Sequence, residues 1–327
     1  MSSRVVVVTP VYNDWESFRR LLIELDAIAP KLGGSTLSVL AVDDGSERSV
    51  EPDRLDVTPV RQLASVEVVR LICNLGHQRA IAVGLATVAA RARYDAVVVM
   101  DSDGEDRPDD VPRLLAALQG EPGRAVMARR ARRSEGLLFR WLYTLYKLVF
   151  RVLTGQRISF GNFSAFPSAL IEQLVYRPEL WNNLAAGLTR SRLPFRSIPT
   201  DRGFRYEGAS KMNLTSLVIH GLSAVSVYTD VVFVRVLLFS LAVAGAALVG
   251  IAAVVAIRVA TDLAIPGWAS TVVGMLSILL VQVLIFSSGA TFLLLANRSG
   301  PSVIPARVAA DYVKGVAQLL PRRTGGA

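Results

Sequence analysis

A single cysteine, Cys73, occurs in 327 residues, so neither an intrachain disulfide framework nor a site built from several thiolates can form. Its expected place is that of a small buried apolar residue. Histidine is nearly as scarce, with only His77 and His220. Neither has a sequence neighbour that suggests metal or nucleophilic chemistry, and both read as structural. No GxGxxG follows the first apolar run, and no GxxxxGK[ST] occurs anywhere. The phosphate cradles of a Rossmann dinucleotide site and of a P-loop nucleotidase are therefore missing, and a bound diphosphate would need a metal ion.

Charge is absent from two long stretches, Val236 to Ile257 and Leu263 to Asn297. Each supplies the roughly 20 apolar residues that cross a bilayer's hydrocarbon core. Spans are expected near 235–257 and 272–296, joined by a turn containing IPGW with Trp268 at the interface. A hairpin buried in a soluble core is the alternative. The connecting loop has Arg258 as its basic residue, whereas the C-terminal tail has Arg298, Arg307, Lys314, Arg322 and Arg323, and the N-terminal part is rich in Arg. By the positive-inside pattern, both ends face the cytoplasm of an inner membrane. No signal peptide is expected, because MSSR runs straight into VVVVTP. The net charge of +9 arises beside amphipathic and membrane segments, which fits an anionic membrane surface or phosphate groups rather than nucleic acid.

Before these spans, apolar runs alternate with amphipathic stretches. RVVVVTP is followed by WESFRRLLIELDAIAP, where Phe18, Leu21, Leu22 and Leu25 share a helical face. TLSVLAVDDGS, VEVVRLICNLG and DAVVVMDSD repeat the strand pattern, with HQRAIAVGLATVAARA a further helix. Near-continuous apolar strands separated by helices indicate an α/β domain with a mainly parallel sheet covered on both faces. Such sheets bind ligands beyond the carboxyl ends of their strands. The polar residues there are Tyr12, Asn13 and Asp14, then Asp43 and Asp44, then Asn74, then Asp101 and Asp103.

Six acids fall within MDSDGEDRPDD. Asp101 and Asp103 flank Ser102, and in an extended segment they point the same way, with Glu105 two residues further on. That all-oxygen set suits Mg2+ or Mn2+ rather than zinc, the remaining ligands coming from water and substrate phosphates. Asp106, Asp109 and Asp110 read instead as the start of the helix in RPDDVPRLLAAL.

TPVYND, VDDGS, NLGHQRAIAVGL and MDSDGEDRPDD, in this order and spacing, resemble glycosyltransferase family 2, which has the nucleotide-diphosphosugar-binding GT-A fold. FGNFSAF near residue 160, RYEGASKMN from Arg205 and the two C-terminal spans are similar to the polyprenyl-phosphate glycosyltransferase branch, which includes dolichol-phosphate mannose synthase and bactoprenol glucosyl transferase. The resemblance implies a cytoplasmic GT-A domain over 1–230, with interface helices near 136–153 and 212–230, then a two-helix transmembrane hairpin over 231–297 and a basic cytoplasmic tail over 298–327.

The resemblance also implies residue roles. Pro10, Tyr12, Asp14 and Asn74 line the nucleotide pocket, and Asp43 or Asp44 bonds the base. Asp101 faces the nucleotide or sugar, Asp103 binds the metal with Glu105 beside it, and Arg205, Ser210 and Lys211 reach the phosphates. Asp101, Asp103 and Arg205 form the catalytic group. Relatives read DxDLQDPP where this chain has DSDGEDRPDD, so Gly104 and Glu105 stand in place of Leu and Gln. Relatives often have an Asp and an Arg where this chain has Asn162 and Ser164, which points to a different donor sugar.

On the acceptor side, ARRARRSEGLLFRWLYTLYKLVFRVLTG places Arg140, Lys147 and Arg151 on one helical stripe through Thr144, with apolar residues elsewhere. That is an interfacial helix. The cluster Arg129, Arg130, Arg132 and Arg133 suits a lipid phosphate, with Arg129, Arg133, Asn162 and Ser164 the candidate contacts. The expected activity is inverting transfer of a sugar from a nucleotide-diphosphosugar to a polyprenyl phosphate, giving a β-linked product, by an enzyme that the resemblance allows to be a tetramer. A transferase acting on a hydroxyl lipid and a membrane-tethered pseudoenzyme that only binds nucleotide sugar remain the other readings. A processive polysaccharide synthase is disfavoured, since Arg140-Trp141 lacks the expected Gln-x-x before it.

Overall fold

The computed structural model describes residues 3–47, 55, 57, 59–130, 137–156, 160–206, 221–261 and 267–321, and it divides into two compact units. The first unit holds an eight-stranded sheet, and the second holds two long helices with the end of a third.

The sheet begins with the four strands that the apolar runs announce: β1 (Arg4–Val11), β2 (Thr36–Asp43), β3 (Ser65–Leu71) and β4 (Ala96–Val99). β1 lies between β2 and β4, and β3 lies beside β2, all parallel. Alternation along β1 sorts its side chains onto two faces. Val5 and Val7 pack with Phe18, Leu21, Leu22 and Leu25 of α1 (Trp15–Ile28) and with Leu114 and Leu118 of α3 (Val111–Gly120). Val6 and Val8 pack on the other face with Ile81 and Leu85 of α2 (His77–Arg91). Burial on both faces explains the unbroken apolar runs Val5–Val8 of β1 and Ala96–Val99 of β4.

Four further strands complete the sheet: β5 (Ala125–Arg130), β6 (Ser164–Pro167), β7 (Phe195–Thr200) and β8 (Val313–Leu320), in the order β7-β5-β6-β4-β1-β2-β3-β8. β6 runs antiparallel to both β4 and β5, so β5 and its parallel neighbour β7 point the same way as β1 to β4. The carboxyl ends of β1 to β5 and β7 therefore lie along one edge, and Asn162, just before β6, reaches that edge from the opposite direction.

β8 corrects the reading of 298–327 as a basic tail. It pairs antiparallel with β3, and the segment before it covers the α2 face of the sheet. There the Tyr312 ring meets that of Trp181 at 5.4 Å, tilted by 39°, and the Ala306 amide donates to the Val175 carbonyl at 2.9 Å. As an edge strand, β8 alternates exposed Lys314, Val316 and Gln318 with half-buried residues, a pattern that resembles a polar tail in sequence.

In the second unit, α7 (Thr229–Ala260) and α8 (Trp268–Ser299) are 32 residues each, longer at both ends than the expected spans. At a rise of 1.5 Å per residue each extends ~48 Å, enough for a hydrocarbon core of about 30 Å. They approach closely at Gly250, where an added Cβ would lie 3.1 Å from Leu276 Cδ1. α4 (Leu137–Thr154) ends against the start of α7: Arg235 Nη1 donates to the Val152 carbonyl at 2.6 Å, and the Phe150 and Tyr228 rings meet edge to face. Arg235 thus satisfies carbonyls that a helix end leaves open. Leu148, Val149 and Val152 stay exposed on α4, beside exposed Lys147 and Arg151.

Close packing of α2 on the sheet depends on Gly84. A Cβ there would lie 2.6 Å from Val8 Cγ1 and 2.8 Å from Val42 Cγ2. Gly84→Ala is expected to lower stability by about 1–3 kcal/mol through overpacking. Unaltered denaturation of the variant would contradict this packing.

Candidate active site

At the carboxyl end of β1, Pro10 is buried in the strand, and its carbonyl accepts the Ser102 hydroxyl at 3.1 Å. The chain then turns through exposed Tyr12 and through Asn13, whose φ of 52° is left-handed, a region that Asn tolerates better than most residues. Asn13 binds the β2 loop in both directions: its amide donates to Ser46 Oγ at 2.9 Å, and its Oδ1 accepts the Glu47 amide at 3.0 Å. Asp14 stands at the N-cap of α1 without a capping hydrogen bond.

Asp43 and Asp44 are both only 3% exposed. Asp43 Oδ1 accepts the Ser46 amide at 2.9 Å. Asp44 uses both oxygens on backbone, accepting Leu75 N at 2.7 Å and Gly76 N at 3.0 Å. Burial raises its pKa, and those two amides and His77 pull against the rise. Asp44 therefore ties the β2 loop to the start of α2. The turn between these loops is tight, since a Cβ on Gly45 would meet Asn74 N at 2.5 Å. Asn74 and Cys73 are exposed, so Cys73 is not the buried apolar residue expected.

Beyond β4 the chain turns rather than extends. Asp106, 4% exposed, accepts the Asp101 amide at 3.0 Å and so fixes this turn instead of starting the helix. Asp110 does lie at the start of α3, paired with Arg113, while Asp109 is on the surface near Lys31. Asp103 and Glu105 meet cations from the loop after β7. Arg205 Nη2 lies 2.6 Å from Asp103 Oδ2, Arg205 Nε lies 3.2 Å from Glu105 Oε1, and Arg202 Nη2 lies 2.7 Å from the same oxygen. Backbone bonds lock the two loops together: Gly203 N donates to Glu105 O at 2.9 Å, and Tyr206 N to Asp103 O at 3.0 Å. Gly104, at φ +88°, admits no side chain, because a Cβ would lie 2.8 Å from Phe204 O. The Gly-Glu pair that replaces the relatives' Leu-Gln thus has a physical partner, with Arg202 answering the added negative charge.

Burial first and then the charge of Asp101 raise the Asp103 pKa, with Glu105 adding to this and its own amide bond and Arg205 opposing it. A cation beside Asp103 would relieve that crowding. Among the described residues no cluster of three or more His, Cys, Asp or Glu is spaced to hold a metal ion. A hard divalent ion held by Asp103 would therefore need most of its ligands from phosphate oxygens and water. Glu105 would join it only by loosening its hold on Arg202 and Arg205.

His77, read from sequence as merely structural, belongs to the site. Its Nε2 lies 3.2 Å from Asp101 Oδ1 and 2.9 Å from Asn162 Nδ2. Desolvation opposes its charge, yet Asp101 above all, then Asp106 and Asp103, raise its pKa. Gln78, inside NLGHQRAIAVGL, and Arg202 are likewise at the site, although the sequence singled out neither. Ser164 is a correction: it is 0% exposed on β6, paired in register with Val99 and Met127, and its hydroxyl donates to Asn162 O at 2.6 Å. It shapes the turn at Asn162 and is closed to a lipid phosphate. Arg129 is exposed near the carboxyl end of β5, opposite Pro199 of β7. Arg133, Ser210, Lys211 and His220 lie outside the described residues.

A family model described as Glycosyl transferase family 2 matches residues 6–176. An undecaprenyl-phosphate 4-deoxy-4-formamido-L-arabinose transferase from Pseudomonas aeruginosa is 30% identical over 221 residues, covering 65% of this chain and 62% of that protein. A transferase of the same description from Pseudomonas fluorescens is 32% identical over 156 residues, covering 47% of this chain and 44% of its own. The chain thus spans about three fifths or less of the length of these relatives. Among solved structures, a glucosyl-3-phosphoglycerate synthase from Mycobacterium tuberculosis with Mn2+, UDP-glucose and phosphoglyceric acid aligns at a TM-score of 0.49 and 17% identity, covering 70% of this chain and 80% of that one.

Asp44→Asn would keep the side chain's shape but turn an amine toward one of the two backbone amides. The loss of a buried acceptor is expected to lower unfolding free energy by about 1–3 kcal/mol. Chemical denaturation that matches the parent would show that Leu75 and Gly76 do not depend on Asp44.

Proposed function

Because the chain belongs to glycosyl transferase family 2, we propose that it transfers a sugar from a nucleotide-diphosphosugar to a polyprenyl phosphate of the undecaprenyl kind. The observation that carries this reading is the meeting of Asp103 and Glu105 with Arg202 and Arg205 at the sheet edge. Acids that can receive a divalent ion and arginines that can receive phosphate oxygens stand in contact there, as a departing nucleoside diphosphate requires.

Asp103, with Glu105 as the less available second acid, is the proposed holder of Mg2+ or Mn2+. When bound, that ion would supply positive charge to the leaving diphosphate. Arg205 is proposed to turn its guanidinium from the acids to the phosphates. Asp43, Tyr12, Asp14 and Asn74 would border the base and ribose, with Pro10 holding the strand end beneath them. Ser210 and Lys211 are proposed for the phosphates, and Arg129 and Arg133 for the lipid phosphate.

A lipid phosphate is already anionic at neutral pH, so its oxygen can attack the anomeric carbon without a strong base. In the proposed step, the phosphate oxygen forms the new bond on the face opposite the breaking bond to the diphosphate. Inversion would give a β-linked product from an α-linked donor.

The membrane reading rests on α7 and α8, long and apolar enough to cross a bilayer, and on the exposed apolar residues of α4. Described residues on both sides of this helical pair, 160–206 with 221–227 and 302–321, belong to the same sheet-bearing unit. Two crossings return a chain to the side it left. With the basic residues concentrated at the two ends, that side is proposed to be the cytoplasm.

A second reading draws on His77 and Asp101, whose contact at 3.2 Å forms an acid–imidazole pair of the kind that can take a proton from a hydroxyl. An acceptor lipid with a free hydroxyl would need such a base.

Purified protein in lipid nanodiscs, supplied with UDP- or GDP-sugars, Mg2+ or Mn2+, and either undecaprenyl phosphate or diacylglycerol, separates the two. Sugar transfer to undecaprenyl phosphate alone is expected, and transfer confined to diacylglycerol would reverse the assignment. Asp103→Ala should abolish metal-dependent transfer, and Arg205→Ala should lower kcat by about 10²–10³. Undiminished turnover in Asp103→Ala would remove Asp103 from the metal site.

A further inference from the structure

Three side chains and one backbone amide form a directed chain beside Asp101. The Leu184 amide opens α6 (Leu184–Arg190) and has no partner within that helix's own first turn. It lies 2.9 Å from Gln78 Oε1. A backbone N–H can only donate, so the Gln78 carbonyl is pinned there and its amine must face the other way. That amine lies 3.0 Å from Asn162 Oδ1, which takes up the Asn162 carbonyl in turn. The Asn162 amine is therefore directed onward, 2.9 Å from His77 Nε2, while Asp101 Oδ1 lies 3.2 Å from the same nitrogen.

A single imidazole nitrogen cannot serve both neighbours. With a lone pair, Nε2 accepts from Asn162 but faces a carboxylate oxygen. With a proton, it donates to Asp101 and meets the N–H of Asn162 head on. An oxygen acceptor placed at the Asn162 amine resolves both, leaving His77 to donate to Asp101 and Asn162 to donate to the newcomer.

Resting on the family 2 reading, we propose that Gln78 is a positioning residue that fixes the carboxamide of Asn162 as a hydrogen-bond donor for a hydroxyl oxygen of the transferred sugar. Asn162 thereby moves from the lipid-phosphate side, where the sequence places it, to the donor-sugar side. A carboxylate at this position could only accept from that hydroxyl, so the amide reverses the direction of the hydrogen bond.

Gln78→Glu tests this with little change of shape. One oxygen of the new carboxylate keeps the Leu184 amide, the other replaces the amine, and Asn162 must turn over to donate to it. Affinity for the nucleotide sugar that supports turnover is expected to fall about tenfold, a hydrogen bond's worth. Affinity for the matching nucleoside diphosphate, which lacks the sugar, should stay within about twofold on the same scale. Asn162→Ala should reproduce the loss, and Gln78→Glu combined with Asn162→Ala should be no worse than Asn162→Ala alone, since both remove the same donor. Equal weakening of the nucleoside diphosphate, unaltered nucleotide-sugar affinity, or additive losses would each overturn the proposal.

A parent protein that binds no nucleotide sugar would defeat the family 2 reading and the sugar ligand with it. The relay is read separately, without ligand, from the side-chain amide protons of Asn162, assigned by their disappearance in Asn162→Asp. They should move downfield in Gln78→Glu as they turn to a carboxylate, and an unmoved resonance would overturn the positioning role by itself.

Discussion

Acids gathered at the end of a strand must be answered by partners, and at the end of β4 those partners come from distant parts of the chain. Asp101, Asp103 and Glu105 fall within five residues, and like charges that close favour neutral carboxyls unless cations approach. Arg202 and Arg205 arrive from about a hundred residues away because β7 runs parallel to β5 and ends on the same edge. Glycine makes that approach feasible. A Cβ at Gly203 would collide with the Gly104 carbonyl, and one at Gly104 would press on Phe204 and Tyr206. The 201–206 loop is thus both a structural counterion and the proposed grip on the substrate's phosphates.

The same division runs through the other acids at this edge. Asp44 reads in sequence as a contact for the base and Asp106 as part of a helix start, yet each accepts backbone amides that a turning chain would otherwise leave unpaired. Asp43 and Asp103 do the same with one oxygen each, accepting the Ser46 and Glu105 amides, and the second oxygen of Asp103 meets Arg205. The turning backbone thus claims part of each of these acids.

Local pattern made β1 to β4, α1 and α2 legible, because strands buried on both faces show as apolar runs and helices packed on one face show their period. β5, β6 and β7 are short or carry Arg and Pro, and β8 presents the alternation of an edge strand after a long apolar interruption, so no run announces them. The acidic turn and Arg205 could be singled out because their residue types carry their chemistry. His77 and Gln78 could not, since each acts only through groups brought to it by the sheet: Asp101 from β4, Asn162 from the start of β6, and Leu184 from α6. Ser164 failed for the opposite reason. Its position near Asn162 suggested a shared role, but Ser164 lies inside the sheet between Val99 and Met127, whereas Asn162 precedes the strand.

β8 changes how the helical pair relates to the rest of the chain. Were 298–327 a free tail, α7 and α8 would be an appendage that could be lost with little consequence for the sheet. Instead the chain leaves the sheet-bearing unit, runs through both helices, and returns to pair with β3 along the edge strand. β8 covers a row of backbone groups on β3 that would otherwise lie open to other chains. It also brings Lys314 to the rim of a cleft of about 340 Å3 bordered by Asp43, Ser46 and Arg70. The helical pair is therefore an insertion within the fold, and the sheet is complete only when the chain has passed through both helices.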